Sequence, residues 1–287
     1  MRSYQRIVVF LVIAFAWSWT SWFLGLHQLA DGTKAADASL KTFVLFFFIG
    51  VYGPCISAII TSLCFEGFNG VINLLRKLTL WKAPVSVYLT ILLLPIFIPL
   101  ASIGLYGLFG GIIGRFDLHA YGLVPVYLWS ALRFGPLGEE LGWRGFLLPE
   151  LQRSVSAFNS SLIIGIIWAS WHIPLFFAPF GTAVSGAHLT IFSILFFYFF
   201  VLCLSCIYTW VVNRSDGSVL MSLLIHLFIN AGLIMLFFPD LNSHTKEIYY
   251  FSAPVYFMVA TFLVLKTGLN AKHKAGNLAK IRTMTRQ

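Results

Sequence analysis

Three short groups of polar residues interrupt otherwise apolar stretches of the chain, and their types suit hydrolysis. The first is Gly138-Glu139-Glu140-Leu141-Gly142-Trp143-Arg144-Gly145, the second Trp168-Ala169-Ser170-Trp171-His172-Ile173-Pro174 and the third His226-Leu227-Phe228-Ile229-Asn230. On a helix Glu140 and Arg144 are i,i+4 neighbours and can pair, which lowers the cost of burying both. Glu139 is rotated by about 100° from Glu140, so one carboxylate is tied down while the other faces elsewhere, free for chemistry. Trp168 and His172 share a helical face, and Pro174 weakens the backbone ladder beside the imidazole. His226 and Asn230 stack at i,i+4 and can aim two donors at one oxygen.

A carboxylate near an imidazole can activate water as general base, and a His plus Asn pair can hold a developing oxyanion; together they suit amide hydrolysis. No Ser or Cys has a motif context that makes it a convincing nucleophile, so attack by water is the simpler route. The same residues offer a second arrangement, in which His172, His226 and Glu139 hold a zinc ion with water in the fourth position. The helical His-Glu-x-x-His of common zinc proteases is absent from the sequence. Residue identity does not separate the two mechanisms.

Each group also has a plain structural explanation. Glu139, Glu140 and Arg144 can form an ion cluster near the cytoplasmic end of their span, and the histidines can bond to neighbouring helices. The three groups together favour a shared wet cavity, because a charge at mid-helix costs roughly 2.5 to 3.5 kcal/mol on insertion. Of ten acidic residues only Glu139 and Glu140 fall inside apolar runs, and of seven histidines only His172 and His226. Gly135-Pro136 should kink or restart the helix before Glu139 and open room for water. Arg133 lines or flanks the same cavity, with no catalytic role assigned to it.

The elements that position these groups must cross a membrane. Of the 287 residues 59% are hydrophobic and 10% charged, against about 25% charged in a soluble domain. That balance excludes a soluble globule, a disordered chain, a coiled coil, collagen and a secreted disulfide scaffold. Apolar runs fall at about 7–26, 42–65, 85–113, 121–148, 161–180, 189–212, 218–238 and 248–266, each long enough to cross about 30 Å of hydrocarbon. The expected fold is all-α and polytopic, with about eight transmembrane helices and a four-helix catalytic core. The run at 85–113 holds Pro95 and Pro99 and reads as a kinked span or a span plus a re-entrant piece. One membrane domain is expected over 1–287, with a motif-bearing catalytic core at 121–240 and a basic cytoplasmic tail at 267–287.

The formal charge of +9 is distributed like a topology signal, so the lipid bilayer is the expected partner and nucleic acid is not. With eight spans one face collects Arg2, Arg6, Arg76, Lys77, Lys82, Arg153, Arg214 and six tail residues from Lys266 to Arg286, while the other holds Lys34, Lys41, Arg115 and Lys246. Both termini are therefore expected to be cytoplasmic. The first run, at about 20 apolar residues, exceeds the usual 7 to 15 of a cleaved signal and reads as a retained span. Cys203-Leu-Ser-Cys206 has CxxC spacing but lies in an apolar run, and packing explains it better than redox or metal chemistry.

Taken in order, Glu-Glu-x-x-x-Arg, aromatic-x-x-x-His and His-x-x-x-Asn on successive hydrophobic segments resemble the CPBP family of intramembrane proteases. That family includes CAAX-processing endopeptidases of the Rce1 type and bacterial bacteriocin-processing or immunity-associated proteins, formerly grouped as Abi. The resemblance covers about residues 125–240, and Gly142-Trp143-Arg144-Gly145-Phe146-Leu147-Leu148-Pro149-Glu150-Leu151 is similar to bacterial members. Trp168 stands where the family often has Phe, so an aromatic ring is retained. The resemblance implies an endopeptidase of the bacterial plasma membrane acting on a membrane-associated peptide or protein. Glu139 would polarise the attacking water with His172, and His226 and Asn230 would form the oxyanion site. Glu140 and Arg144 would support the architecture, as would Trp168. It implies a glutamate mechanism without a committed cofactor, zinc being the alternative.

Other classes use the same residues differently. A proton-coupled transporter would make Glu139, Glu140 and the histidines a relay, and would show flux across sealed vesicles without cleavage. A haem protein would use His172 and His226 as axial ligands and show a Soret band. A catalytically silent bacteriocin-immunity scaffold would bind a partner and cut nothing.

Overall fold

The computed structural model describes residues 2–30, 36–115, 122–185, 189–232 and 244–267, and these form helices and turns with no strand among them. Sequence features at Lys34, Asp117, His119, His188, Asp240 and His273, and the tail beyond residue 267, lie outside the described residues. The chain begins with α1 (Arg2–Ala30), α2 (Ala36–Val51), α3 (Gly53–Arg76) and α4 (Val85–Leu108). The fourth apolar run is divided into α5 (Val124–Arg133), α6 (Pro136–Glu140), a π-helical turn (Leu141–Leu147) and α7 (Leu148–Gln152). Then come α8 (Ala157–Trp171), a 3-10 turn (Ile173–Phe177), α9 (Ile191–Arg214), α10 (Val219–Ala231) and α11 (Thr245–Thr267).

Among the described residues Ser3–Ala30, Ala36–Thr79, Val85–Leu108, Ile191–Arg214 and Glu247–Lys266 are long and apolar enough to cross a membrane, and α8 and α10 are shorter apolar helices. This is a polytopic helical membrane protein. Pro95 and Pro99 sit inside the single helix α4, so that run is one span without a separate re-entrant piece. The second run bends at Tyr52, where α2 passes into α3. Pro54 has no N–H to give the Gly50 carbonyl, and Ser18 from α1 donates to that oxygen instead, at 2.7 Å. One apolar core joins α1 to α11 through residues such as Phe10, Trp22, Phe43, Trp143, Trp171, Ile207 and Val255.

The division of the fourth run follows from its sequence. Helix α5 stops at Arg133, and Pro136 opens α6, where its missing N–H is an orphan in any case. Gly138 and Gly142 then face the α2–α3 bend. A Cβ on Gly138 would stand 2.5 Å from the Val51 carbonyl oxygen, and one on Gly142 would stand 2.5 Å from that of Pro54. This is backbone against backbone, the close approach that a Gly-x-x-x-Gly pair permits between membrane helices. Glu139 and Glu140 lie between the two glycines, so the contact fixes their depth and rotation. In the wider π turn carbonyls lose their usual partners, and Lys77 donates to Gly145 O at 2.5 Å.

Charge gathers at one end of the bundle. Arg6 pairs with Glu66 at 2.5 Å and with Glu150 at 3.2 Å, Arg153 pairs with Glu150 at 3.3 Å, and Ser3 donates to Glu150 at 2.8 Å. Gln152 bonds Asn213, and Ser218 donates to Leu80 O, which brings the start of α10 to the same end. From Ser218, α10 advances about 18 Å to Asn230 at about 1.5 Å per residue. From Glu150 back to Glu139 the rise is about 16 Å on the same measure. Glu139 therefore sits about 16 Å from the charged end of the bundle, a distance on the order of half a 30 Å hydrocarbon layer. The reason is the break at Gly135: only the part from α6 onward runs down to the charged end, and the glutamates open that part.

Candidate active site

Gly135 marks the point where the polar groups meet. A Cβ built on it would stand 3.0 Å from Glu139 Oε1, 3.2 Å from Asn230 Nδ2 and 3.3 Å from His226 Nε2. Side-chain atoms from α6 and α10 thus ring one small space that is open because residue 135 has no side chain. Three of the four residues expected to do chemistry converge there. The fourth, His172, packs beside the Trp168 indole, its ring centroid 6.0 Å from that of Trp168, while His226 lies 5.6 Å from the same indole.

The two glutamates are held by different partners. Glu140 is completely buried; it accepts from Arg144 Nη1 at 3.0 Å, from His226 Nδ1 at 2.7 Å and from the Ser222 hydroxyl. Glu139 accepts from Trp168 Nε1 at 2.5 Å through Oε2, and its other oxygen is the one beside Gly135. Glu139 is therefore positioned rather than loose, and it has no hydrogen bond to Arg144. Trp168 divides the pair, giving its N–H edge to Glu139 and its face to the Arg144 guanidinium, whose carbon lies 4.2 Å from the ring centroid. Tyr208 from α9 covers the guanidinium from a second side at 4.7 Å. Arg144 Nε and Nη2 have no hydrogen-bond partner, and the two π-faces supply the compensation that a buried cation requires.

Hydrogen bonding also assigns the imidazole protons. A carboxylate only accepts, so His226 Nδ1 donates to Glu140 and Nε2 is the nitrogen directed at the open space. A backbone carbonyl likewise only accepts, so His172 Nδ1 donates to Trp168 O at 2.8 Å. In the neutral ring His172 Nε2 then carries a lone pair.

One comparison with known proteins falls on the same part of the chain, and another spans most of it. Residues 121–232 match the family described as type II CAAX prenyl endopeptidase Rce1-like. Over that segment the chain is similar to the Rce1-like family. Over 269 residues, 90% of this chain and 92% of the relative, it is also 27% identical to a protein of Methanococcus maripaludis named CAAX prenyl protease 2. Both likenesses are to proteases, and the Rce1-like segment contains Glu139, Glu140, Arg144, Trp168, His172, His226 and Asn230.

A zinc ion would need three donors at about 2.0 to 2.2 Å from one centre. Among the described residues no three His, Cys, Asp or Glu side chains stand close enough together to hold a metal. The set of Glu139, His172 and His226 does not form such a group as arranged.

Several residues of the candidate site were not singled out from the sequence. Ser222 sits four residues before His226 on α10, so its place on the same face was readable from spacing. Gly135 was read as half of a kink, and its second use, leaving space between three polar side chains, depends on α10. Tyr208 lies in the uniformly apolar α9 and had no sequence signal.

Proposed function

We propose that the protein is an intramembrane endopeptidase in which Glu139 is the general base. Glu139 takes a proton from water lodged beside Gly135, with His172 Nε2 as a second acceptor for that water. The hydroxide oxygen bonds to the scissile carbonyl carbon, and the carbonyl oxygen becomes an oxyanion between His226 Nε2 and Asn230 Nδ2. Because Nδ1 already donates to Glu140, Nε2 can donate only from the imidazolium form. In that form Glu139, Glu140, Arg144 and His226 together carry no net charge, which suits a group buried among hydrocarbon. The proton on Glu139 then passes to the amide nitrogen as the C–N bond breaks, leaving a carboxylic acid and an amine. Glu140, Arg144 and Trp168 hold the arrangement.

The substrate is a membrane-associated peptide or protein, and by likeness to the archaeal relative we assign it to the prenylated C-a-a-X type. We place the chain in a bacterial plasma membrane with both termini cytoplasmic. The observation that carries this reading is the convergence of Glu139, His226 and Asn230 on the space beside Gly135.

The test is cleavage of an S-farnesylated C-a-a-X peptide by purified protein. Glu139→Gln and His172→Ala should each lower kcat/KM by at least about a hundredfold with thermal unfolding close to wild type. Cleavage at the wild-type rate by both variants refutes the reading. Cleavage that persists in the presence of a chelator, with no zinc found by elemental analysis, is expected of the glutamate mechanism.

A further inference from the structure

Arg133 is the basic residue of the fourth run that the chemistry above leaves unused. It ends α5 two residues before Gly135, in a half-buried position. Among the described residues no carboxylate lies within ion-pair distance of it; its recorded hydrogen bond is a 3.4 Å contact from Nε to the Trp129 carbonyl of its own helix. The guanidinium instead lies over two rings, 4.9 Å from the centroid of Trp129 and 5.8 Å from that of Phe48. Stacking of this kind occupies the face of the cation and leaves its in-plane N–H groups for an anion.

The position of Arg133 relates it to the reacting centre. Phe48 packs on Phe134 with ring centroids 4.8 Å apart, and Phe47 and Phe180 lie 5.4 and 6.4 Å from Phe134. An aromatic wall therefore runs from Arg133 to Phe134, the residue next to Gly135. Two Cα–Cα steps of about 3.8 Å and the length of an arginine side chain keep the guanidinium within about 14 Å of the Gly135 space. An extended peptide advances about 3.3 to 3.6 Å per residue, so an anion at Arg133 lies within about four residues of a carbonyl at Gly135.

We propose that Arg133 is the carboxylate-binding subsite that holds the C-terminal carboxylate of the substrate. This rests on the protease reading above. An unpaired cation fits a carboxylate bidentately, and the aromatic wall gives the intervening apolar side chains a surface. An anionic lipid headgroup offers the same charge and geometry, and the experiment separates the two.

The full-length protein in phosphatidylcholine nanodiscs would be given one S-farnesyl-Cys-Val-Ile-Met peptide as the free acid and as the C-terminal amide. Wild type is expected to favour the acid by about ten- to a hundredfold in kcat/KM, mainly through KM, as a charge-assisted bond supplies. Arg133→Gln should bring that ratio close to one, and Arg133→Lys should keep part of it. An acid-to-amide ratio equal in wild type and Arg133→Gln overturns the proposal. A rate that responds to added phosphatidylglycerol in wild type but not in Arg133→Gln, with the ratio unmoved, assigns the residue to lipid and also overturns it. If no peptide is cut at all, the protease reading fails separately. Binding of the two peptides to Glu139→Gln protein, with and without Arg133→Gln and followed by tryptophan fluorescence, then decides whether the carboxylate is read.

Discussion

A buried guanidinium with two unpaired nitrogens is costly in hydrocarbon unless something covers its charge. Around Arg144 that cover comes from Trp168 and Tyr208, and Tyr208 also lies 5.4 Å from the His226 ring. The Tyr208 hydroxyl has no hydrogen-bond partner, so the ring rather than the oxygen should matter. Tyr208→Phe is expected to keep near wild-type melting temperature and kcat, whereas Tyr208→Leu should lose about 1 to 3 kcal/mol of stability and at least tenfold in kcat. Equal losses in the two variants, measured by thermal unfolding and peptide turnover, would assign the role to the hydroxyl instead. At this scale the separate situations of the two glutamates were legible in the sequence, because a rotation of about 100° between neighbours is fixed by helix geometry. The sequence did not show what holds Glu139. An indole that bonds one carboxylate through its edge and covers the other's arginine with its face depends on α8 crossing at the right height.

The α6 segment with its π turn is a short, irregular element carrying both glutamates, and it is placed by contact rather than by length. Gly142 touches the Pro54 carbonyl so closely that a methyl group has no room. Gly142→Ala should force α6 away from the α2–α3 bend and cost about 1 to 3 kcal/mol, lowering both melting temperature and cleavage rate. Gly67, which has open space around it, supplies the comparison: it has a positive φ of 67°, so its alanine variant tests backbone strain without a clash. A melting temperature for Gly142→Ala at or above wild type would remove the contact from the argument. The division at Gly135-Pro136 was readable, since proline favours a helix start. The π turn was not, because the extra residue per turn answers to packing against α3 and to the Lys77 bond at Gly145.

For the whole molecule, hydropathy alone supplied the number and order of apolar runs, and the helices follow it except where the second run bends at Tyr52, where the fourth and fifth runs are divided and where α8 and α10 are shorter than a full span. Charge asymmetry supplied a testable orientation. Fusions of a cytoplasm-active reporter to either end should be active, and a reporter that requires export should be silent at both; one active end and one silent end would reverse the reading. Depth was beyond the sequence, because hydropathy says that a run crosses and not how far along it a bend falls. The different partners of the two carboxylates have a consequence at this scale. Glu140, Arg144, His226 and Ser222 form a closed polar network that ties α10 to the π turn, and Glu139 has no hydrogen bond within it, its partner being the Trp168 indole. Silencing the scissors therefore need not dismantle the handle: on the proposed mechanism a single change at Glu139 is expected to leave a folded molecule that binds substrate without cutting it, a short evolutionary path from a cutting enzyme to one that only grips.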